Sequence, residues 1–391
     1  MIHLGIDANE ANVKNRVGSN VYAFAVIKHL AKITENDDHY RFTLFLAQPP
    51  VADLPPARHN WSYKVLKPGF LFTQWALPLY LYQHQNKYDA FFTPGHYAPR
   101  FCPIPHVCSV MDLAYLHFPT QFKKTDLLQL KNWTKYSVNQ ANKIVTISQF
   151  SKSELVKNYQ QQPADIVVAY PNVNLPHKPP LRSRERAFVR KHQIKSPYFL
   201  YLGTLQPRKN LLRVIKAFES FHRSLAAGKV KKRGRQYRQH QPQLVIAGKS
   251  GWLNQQLMTR IKKSPISQQL ILTGYVDQSL KPWLYQHALA NLNLGLYEGF
   301  GIPALEALHY KTLVIAANNT SLPEVVGKAG ILVDPYDIKE ISQAMAKVWT
   351  MTAKQKAKFR KKAREQVKKF SWRKTSKKIL KVLTKLAQTK S

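Results

Sequence analysis

The sequence predicts an α/β protein built from two domains, each with a parallel sheet. Three observations indicate this class. The chain has 391 residues, and because single hydrophobic cores usually stop growing below that length, we expect two domains. It opens with an apolar strand at Ile2–Ile6, a polar glycine-bearing loop, and helical spacing over Val21–Ile33. This order of strand, glycine loop and helix is a first Rossmann-like unit, and it recurs at 198–222 and at 290–306, which indicates an α/β fold.

A proline-rich stretch marks the expected boundary between the two domains. Pro176–Pro180 contains three prolines, and such clusters are typical of linkers. We therefore assign residues 1–178 to an N-terminal domain and residues 179–369 to a C-terminal domain.

Composition places the chain among ordinary globular proteins. Hydrophobic residues make up 44% of it, and no uninterrupted apolar run is long enough to span a membrane. The first residues enter a strand directly, so we expect no signal peptide. Cys102 and Cys108 are the only cysteines; they form neither a disulfide framework nor a zinc set, which favours reduced thiols in the cytoplasm.

The charge is strongly basic. Sixty Lys and Arg residues stand against 21 Asp and Glu, a formal net charge of +39, which predicts attraction to polyanions such as an anionic membrane surface. Six of the ten residues in Lys229–Arg238 are basic, and we interpret this insertion as a surface loop. Residues 379–386 carry apolar side chains at the spacing of one helix face, which we expect to pack on the protein.

The most informative stretch is Leu296–Glu306, which follows an apolar strand over Ala290–Leu296. Gly299, Phe300 and Gly301 form a loop in which the backbone can approach a ligand. Pro303 suits the first turn of a helix, so the amides of Gly301 and Ile302 are expected to point at an anion. Glu298 and Glu306 flank this loop. Two carboxylates around such amides suit a ligand with a phosphate and several hydroxyls, although the spacing alone also fits two solvated glutamates.

A second stretch supplies cations. A short strand from Tyr198 ends at Gly203, and Arg208 and Lys209 follow in a turn, with Asn210 as the expected N-cap of a helix over Leu211–His222. Arginine offers phosphate a planar fork and lysine a point charge, so the pair suits a diphosphate. Ligands of open α/β sheets lie outside the carboxyl ends of the strands, which is where both stretches are placed.

Four further residues are candidates at other strand ends. Gly18 and Ser19 would supply amides at the start of the first helix, toward a phosphate. Lys249 follows the strand Gln243–Ala247 and is assigned to phosphate, with a solvated loop lysine as the alternative. Asp112 follows the strand Pro105–Val110 and is either a turn cap or a contact to an acceptor hydroxyl.

Together these motifs resemble a known family, the large retaining glycosyltransferases of GT-B family 4, which includes bacterial mannosyl- and glucosyltransferases. The resemblance rests on Gly203 with Arg208–Asn210, on Glu298 to Glu306, and on Asn319–Gly327 followed by Ala329–Pro335. It implies two Rossmann-like domains facing each other across a cleft, with a C-terminal helix over 370–391 packed on the first domain. It also implies that the backbone near Val276 holds the base of a nucleotide.

The function implied by this resemblance is transfer of a hexose from GDP-mannose or a UDP-hexose to a glycan or lipid-linked acceptor, with retention of configuration. Arg208, Lys209 and the loop amides would stabilise the leaving diphosphate, Glu306 would bind the ribose diol, and Glu298 would hold sugar hydroxyls. Neither a metal nor another cofactor is expected. The setting would be assembly of a surface polysaccharide or glycolipid, by a cytoplasmic enzyme peripheral to the membrane.

One position departs from the family pattern. Met111 stands before Asp112 where relatives commonly have a histidine, and methionine can neither donate a hydrogen bond nor carry charge. His96 and His117 are candidates for that role, although a structural histidine is the favoured interpretation of each. The departure keeps open a catalytically inactive relative, and the +39 charge suggests a basic nucleic-acid-binding protein as an alternative, without a recognised motif for specific binding.

The aromatic stretch Gly69–Tyr82 admits two interpretations. It could lie at a membrane interface, where aromatic residues are favoured. We favour a core helix whose aromatic edges are exposed where an acceptor enters.

Overall fold

The structure is a computed structural model that describes residues 1–95, 97–175, 182–230, 241–249, 251 and 255–389. The predictions for His96, for the linker Pro176–Pro180 and for residues 231–238 of the basic insertion lie outside these residues.

Contacts between residues divide the chain into two compact units. The first comprises Met1–Pro171 and Phe370–Ser391, and the second comprises Asn172–Lys369. The division falls at Asn172 rather than at residue 179. One contact accounts for this position, since the side-chain oxygen of Asn172 lies 3.2 Å from Nε2 of His309, a residue of the second unit.

Each unit is built on one sheet in which neighbouring strands are parallel. The first unit holds β1 (Ile2–Asp7), β2 (Tyr40–Leu46), β3 (Trp61–Val65), β4 (Ala90–Thr93), β5 (His106–Val110), β6 (Lys143–Thr146) and β7 (Ile166–Val168). The second holds β8 (Tyr198–Leu202), β9 (Gln243–Ala247), β10 (Leu270–Gly274), β11 (Ala288–Asn293), β12 (Leu313–Ala317) and β13 (Ile331–Val333). The predicted α/β class with two parallel sheets is confirmed.

Helices cover these sheets. The described α-helices are α1 (Ser19–Ile33), α2 (Leu77–Gln83), α3 (Ala114–His117), α4 (Lys124–Gln140), α5 (Gln149–Tyr159), α6 (Arg182–His192), α7 (Leu211–Ala226), α8 (Gln255–Lys262), α9 (Lys281–His287), α10 (Ile302–His309), α11 (Leu322–Val326), α12 (Ile338–Thr350), α13 (Ala353–Val367) and α14 (Trp372–Gln388). Strands covered on both faces are apolar along their length, as in β12, where every residue is apolar and buried.

The strand order places a switch point in each sheet. The orders are β3-β2-β1-β4-β5-β6-β7 and β10-β9-β8-β11-β12-β13, so the direction of winding reverses between β1 and β4 and between β8 and β11. Ligands of doubly wound sheets bind outside the carboxyl ends of the strands at such points. The loops after β8 and β11 carry the two motifs singled out in the sequence.

The strand predicted over Ala290–Leu296 is shifted in the structure. It runs over Ala288–Asn293, because the amide of Leu296 donates to the carbonyl of Arg208 at 2.8 Å rather than to a neighbouring strand. The last residues of the predicted strand therefore belong to the loop that carries Glu298.

The terminal helix α14 belongs to the first unit and packs against α1. Its side chains Ile379 and Leu383 are fully buried in the core that also contains Val26 of α1, and Leu380 and Val382 are partly buried against it. The apolar face of this basic helix therefore packs on the protein, as the sequence predicted. In the part of the chain that is described, no helix combines the length and apolarity needed to cross a membrane.

Candidate functional site

The loops after β8 and β11 contact each other directly at the switch point of the second sheet. The carbonyl of Arg208 accepts the Leu296 amide at 2.8 Å, and Nη1 of Arg208 donates to the carbonyl of Tyr297 at 3.1 Å. The two strands are neighbours in the sheet, so their carboxyl ends bring the loops together. The structure thus joins the cationic stretch to the stretch that contains both glutamates.

The loop after β12 supports the same region. The side-chain amide of Asn319 donates to the carbonyl of Leu296 at 3.2 Å, and the hydroxyl of Ser321 donates to the carbonyl of Glu298 at 2.8 Å. Both residues belong to the third motif on which the family resemblance rests. Their observed contribution is to hold the backbone of the loop that carries Glu298.

Lys209 and Glu298 form an ion pair. Nζ of Lys209 lies 2.5 Å from Oε1 of Glu298, and the two side chains are only 17% and 12% exposed. Glu298 also packs tightly on the chain before it, because a Cβ added at Gly295 would lie 2.8 Å from the same Oε1. The two residues were assigned from the sequence to different parts of a ligand, and the structure shows them bound to each other.

Glu306 is held by two residues of α9 that sequence reasoning missed. Nζ of Lys281 donates to Oε1 of Glu306 at 3.0 Å, and the hydroxyl of Tyr285 donates to Oε2 at 2.7 Å. Lys281 and Tyr285 are four residues apart and so lie on one face of the helix. The four-residue spacing could have indicated from the sequence that the two side chains share a helix face. It does not indicate that their partner is a glutamate on another helix.

Burial of this group is nearly complete. Glu306 is 8% exposed and Tyr285 is fully buried. Burial and the neighbouring Glu306 carboxylate together raise the pKa of Tyr285 well above its ordinary value, so Tyr285 is a donor throughout the physiological range. The carboxyl group of Glu306 is therefore fixed in direction by the Tyr285 hydroxyl and by Nζ of Lys281.

The glycine loop leads into α10 as predicted. Gly301 has a φ of +97° and precedes the helix, with Pro303 in the first turn. The carbonyl of Gly301 accepts the amides of Ala304 and Leu305, so the Ile302 amide lies before the first of these helical bonds. Phe300 is 3% exposed, and its buried side chain anchors the loop between Gly299 and Gly301.

The sequence predicted that the Asn210 side chain caps the helix α7. In the structure it makes no hydrogen bond to the helix amides. It is 3% exposed, and its side-chain amide donates to the carbonyl of Pro335 at 2.7 Å. Its backbone is left-handed, with a φ of +63°, a conformation that asparagine tolerates better than most residues. Its side-chain oxygen accepts from Nη1 of Arg213 at 3.0 Å rather than from a helix amide, so both polar ends of this buried side chain have partners.

The loops after β8, β9 and β10 meet through glycine. The Gly203 amide donates to Ala247 and the Gly248 amide to Gly274, at 2.9 and 2.8 Å. A Cβ at Gly248 would lie 1.8 Å from the Gly203 carbonyl oxygen, so this approach requires glycine.

Lys249 lies beside this junction, with Nζ 5.0 Å from the centre of the Tyr275 ring. Val276, which follows Tyr275 in the chain, is 6% exposed. Contacts from Lys249 to phosphate and from the Val276 backbone to a base stay predictions.

The first unit has a carboxylate at the start of α1. Oε2 of Glu10 accepts from the Ser19 hydroxyl at 3.1 Å and from the Asn20 side chain at 2.7 Å. A carboxylate is favourable at a helix N-terminus. The sequence assigned a phosphate to the amides near Gly18 and Ser19 and missed Glu10, which lies in a loop without any pattern that marks it.

Glu10 is also close to the loop after β4. A Cβ at Gly95 would lie 2.6 Å from Cγ of Glu10, so the acid sits between the carboxyl ends of β1 and β4, the switch point of the first sheet. Asp7 ends β1 and accepts the Asn9 amide at 3.1 Å. Burial raises the pKa of Asp7 to about 7, with the charge of Glu10 adding to the effect.

The residues around Met111 have local partners. Asp112 accepts the Ala114 amide at 3.0 Å, which is the turn-cap role considered for it. Met111 is 7% exposed, and Nε2 of His117 is hydrogen-bonded to the Glu154 carboxyl. That contact agrees with the structural interpretation of His117, and a role for Asp112 at an acceptor hydroxyl stays a prediction.

Two more features bear on ligands. Across the residues that the structure describes, no three His, Cys, Asp or Glu side chains come together as a metal set. A groove of about 550 Å³ lies on the first unit between the β7 region and α14, lined by Lys143, Lys378, Lys381 and Lys385 over an apolar floor. None of the predicted site residues lines this groove.

Family models match both halves of the chain. The model described as "Glycosyltransferase Family 4" matches residues 17–176, and the model described as "Glycosyl transferases group 1" matches residues 183–366. The second match contains every predicted site residue of the second unit.

Curated relatives include bacterial mannosyltransferases. The chain is 28% identical over 320 residues to O-antigen chain mannosyltransferase B of Escherichia coli, covering 78% of this chain and 73% of that protein. It is 29% identical over 201 residues to the serotype-specific mannosyltransferase WbdA of Escherichia coli, covering 51% of this chain and 23% of that longer protein.

Solved structures match the fold along the whole chain. Sucrose-phosphate synthase from Thermosynechococcus elongatus superposes with a TM-score of 0.70 at 16% identity, covering 100% of both chains. HepE from Anabaena, in complex with UDP and glucose, superposes with a TM-score of 0.67 at 16% identity, covering 98% of this chain and 99% of that one. These likenesses show the GT-B fold, and with the two family models they show that the chain belongs to the family 4, or group 1, glycosyltransferases.

Proposed function

We propose that this glycosyltransferase moves a hexose, with mannose from GDP-mannose as the first candidate, to a glycan or lipid-linked acceptor in surface polysaccharide assembly. The observation that carries the proposal is the convergence of Arg208, Lys209 and Glu298 at the switch point of the second sheet, with Glu306 on the helix α10 that follows the same loop. The choice of mannose is supported by the mannosyltransferases among its relatives. A UDP-hexose is the second candidate for the donor.

In the proposed reaction the bond between the anomeric carbon and the diphosphate oxygen breaks, and the acceptor oxygen bonds to that carbon. The diphosphate leaves with the bonding electron pair, and the acceptor hydroxyl loses its proton. Negative charge therefore develops on the diphosphate. Arg208, Lys209 and the amides of Gly301 and Ile302 are the groups we assign to that charge, because preorganised donors stabilise it most effectively in a partly buried site.

Glu306 is assigned to the ribose of the donor. A carboxylate offers about four acceptor positions, so the two donors from Lys281 and Tyr285 leave acceptor capacity for a pair of vicinal hydroxyls. The same two donors fix the direction of the carboxylate, which lowers the conformational cost of binding.

Glu298 is assigned to hydroxyls of the transferred sugar, with Lys209 as its neighbour on the diphosphate side. The ion pair between them would keep both charged groups in place between turnovers. The Lys209 ammonium has three N–H groups, so in this proposal it donates to Glu298 and to the diphosphate together.

Three finer features belong to the same proposal. The reaction proceeds with retention of configuration, and no metal ion takes part, because Arg208, Lys209 and the start of α10 supply the positive charge. The first unit binds the acceptor, with Asp112 on an acceptor hydroxyl. The enzyme stays close to an anionic membrane surface, to which a net charge of +39 is attracted.

The test is donor turnover by the purified protein. GDP-mannose, UDP-glucose and UDP-N-acetylglucosamine are supplied separately in EDTA, with and without a lipid extract, and the released nucleotide is measured. Glu306→Ala and Arg208→Ala are run beside Glu365→Gln, a control that removes an exposed carboxylate of the second unit paired only at the surface with Lys368. The anomeric configuration of the product is read by NMR.

We expect release of one nucleotide in EDTA, lost in the two site variants and kept in the control. A requirement for added metal would overturn the metal-independent mechanism alone. Absence of both release and binding for every donor, with the protein folded, would instead indicate an inactive relative, consistent with Met111.

A further inference from the structure

The first unit exposes a set of large apolar side chains that the proposed reaction does not use. Phe70, Trp75, Leu79, Tyr82 and Phe101 are 82%, 66%, 59%, 65% and 82% exposed. We call these five residues the aromatic face. Single exposed apolar residues are ordinary in soluble proteins, whereas a group of this size marks a surface with a partner.

Four of the five lie on the helical segment Gly69–Gln83, which runs from a 3-10 turn (Gly69–Leu71) through a π-helical turn (Phe72–Ala76) into α2. This segment carries apolar side chains on two sides. Its inner side buries Phe72, Ala76, Leu77 and Leu81 in the core of the first unit. Trp75, Leu79 and Tyr82 follow one another at four and three residues, so they share the outer side. A helix that is apolar all round is normally covered all round, and here only the inner side is covered by the protein.

Phe101 extends the face beyond the helical segment. The amide of its neighbour Arg100 donates to the carbonyl of Thr73 at 3.4 Å, which joins this loop to the segment. The Phe101 backbone has a φ of +49°, a conformation that bulky residues rarely adopt. The Phe101 amide donates to the hydroxyl of Tyr136 at 2.7 Å, and this hydrogen bond holds the backbone in that conformation. The loop therefore holds an aromatic ring toward solvent in a defined position.

Cations are close in sequence to the aromatic face, and Nζ of Lys64 lies 5.6 Å from the ring centre of Tyr80 on the same helical segment. Between residues 64 and 101 the chain carries Lys64, Lys67, Lys87 and Arg100, and its one acid is Asp89. Asp89 accepts the backbone amide of His3 at 2.7 Å. Surfaces that bind anionic lipid typically combine apolar and aromatic side chains with nearby cations.

We propose that the aromatic face inserts into the headgroup region of an anionic bilayer. The lipid phosphates would then be bound by Lys64, Lys67, Lys87 and Arg100. Trp and Tyr side chains favour this zone because one end of each is apolar and the other polar. This inference deepens the peripheral membrane location proposed above and does not depend on the identity of the donor sugar.

The shape and charge of the surface favour a bilayer over two other occupants. The segment Gly69–Gln83 extends for roughly 20 Å at about 1.5 Å per residue, which suits an extended surface better than a single sugar ring. A second copy of the chain would place the same cations opposite each other, and like charges across an interface oppose association.

The test uses sedimentation of the full chain with vesicles of phosphatidylcholine, alone or with added phosphatidylglycerol. The variant Trp75→Ser/Leu79→Ser removes two outward side chains and leaves the buried inner side unchanged. The matched control is Tyr336→Ser, which removes an aromatic residue that is 56% exposed on the second unit. Circular dichroism and thermal unfolding establish that each variant is folded.

We expect the wild-type protein and the control to bind the anionic vesicles. The double variant should bind them at least about tenfold more weakly, as follows from the loss of two apolar side chains from the interface. In the wild-type protein, the emission of Trp75 should shift to the blue on binding. Lys64→Glu/Lys67→Glu should weaken binding to anionic vesicles and leave the weak binding to phosphatidylcholine unchanged.

Other outcomes would overturn the proposal in separate ways. Equal vesicle binding by the double variant and the wild type would exclude the aromatic face while keeping the membrane location. Absence of wild-type binding would remove the membrane location too, without bearing on nucleotide release. A change in sedimentation coefficient of the double variant would identify a second copy as the occupant, and a raised KM for a soluble glycan with unchanged vesicle binding would identify the acceptor.

Discussion

Nζ of Lys209 lies 2.5 Å from Oε1 of Glu298 across the two loops that end β8 and β11. The sequence assigned the lysine to a diphosphate and the glutamate to sugar hydroxyls, as two separate charges. In the structure the two opposite charges offset each other, and little solvent reaches either side chain. Lys209 therefore brings less net positive charge to the expected diphosphate than the sequence suggested, and the adjacent Arg208 donates to the carbonyl of Tyr297 in the same loop as Glu298.

The ion pair predicts that Lys209 and Glu298 act as one unit. Lys209→Ala leaves a glutamate without its cation, and Glu298→Gln leaves a lysine without its anion. Because breaking a poorly solvated pair is costly, we expect each single variant to lower the free energy of unfolding by about 2–3 kcal/mol. The double variant should lose little more than the larger single loss, since residues in contact are not additive. Chemical denaturation of the four proteins measures this cycle.

Additive losses in that cycle would contradict the pairing. Catalysis provides a second measurement, because Lys209→Ala and the double variant should show nearly the same rate of nucleotide release. A double variant that is slower than Lys209→Ala by the full effect of Glu298→Gln would show that the two residues act independently.

The support of Glu306 by α9 gives a second prediction. Tyr285→Phe removes one hydroxyl donor and leaves the buried ring in place. If the donor's ribose binds to Glu306, we expect KM for the nucleotide sugar to rise about three- to tenfold, because about one hydrogen bond is lost. The change in kcat should be smaller. Lys281→Met should act in the same direction. Steady-state kinetics with the preferred donor measures the split.

Tyr310→Phe is the matched control for that prediction. Tyr310 stacks on Tyr285 with ring centres 5.6 Å apart, but the hydroxyl that donates to Glu306 belongs to Tyr285. Equal rises in KM for both variants would show a general packing effect and would count against the proposed contact between Glu306 and the donor.

The fold could be predicted because its signals are local. Parallel strands buried on both faces are short apolar runs, and the loops that follow them carry glycine and proline at the positions where helices start. The loop that contains Gly301 and Pro303 was predicted for these reasons. The end of β11 was misplaced, because Leu296 is apolar like a strand residue yet bonds to Arg208 of another loop.

The partners of the charged residues could not be predicted in the same way. Lys281 and Tyr285 meet Glu306 across a distance in sequence that no periodicity encodes, and Glu10 lies in an irregular loop. Asn210 shows the limit for a single residue, since its sequence position suits an N-cap while its buried side chain is drawn to Pro335. Such choices depend on which polar groups folding brings together.

The start of α10 gives a third prediction. Gly301 has a φ of +97°, and an added Cβ would lie 2.6 Å from Cδ2 of Leu322. Gly301→Ala therefore combines backbone strain with a steric clash, and we expect it to lower the free energy of unfolding by about 2–4 kcal/mol. Gly228→Ala separates the two effects, because Gly228 has a φ of +69° and no atom within 4 Å of the added Cβ.

The control should cost about 1 kcal/mol, the strain of a left-handed backbone alone. Equal losses in the two variants, measured by denaturant unfolding, would show that the contact with Leu322 relaxes. A loss of nucleotide release by Gly301→Ala at a temperature where it is fully folded would additionally support the role proposed for the loop amides.

The fourth prediction concerns Asp7, whose pKa burial raises to about 7 from an ordinary value of 3.8. Below about pH 3 the carboxyl is largely protonated in both the folded and the unfolded protein, because that pH lies under both pKa values. As the pH rises, the unfolded chain releases this proton first, so the contribution of Asp7 to stability declines until the folded form also ionises near pH 7. Asp7→Asn keeps an oxygen for the Asn9 amide and cannot ionise.

The pH-dependent part of the difference between Asp7→Asn and the wild type should therefore be smallest below about pH 3 and grow as the pH rises toward 7. At about pH 8 the variant should be the more stable by about 2–4 kcal/mol, since one pKa unit corresponds to about 1.4 kcal/mol. Asp53→Asn is a control of opposite sign, because a hydrogen bond from Arg16 lowers the pKa of Asp53; its variant should be slightly less stable above that pKa. Urea unfolding across the pH range measures both, and a pH-independent difference for Asp7→Asn would show that this carboxyl is ionised in the folded protein like an ordinary aspartate.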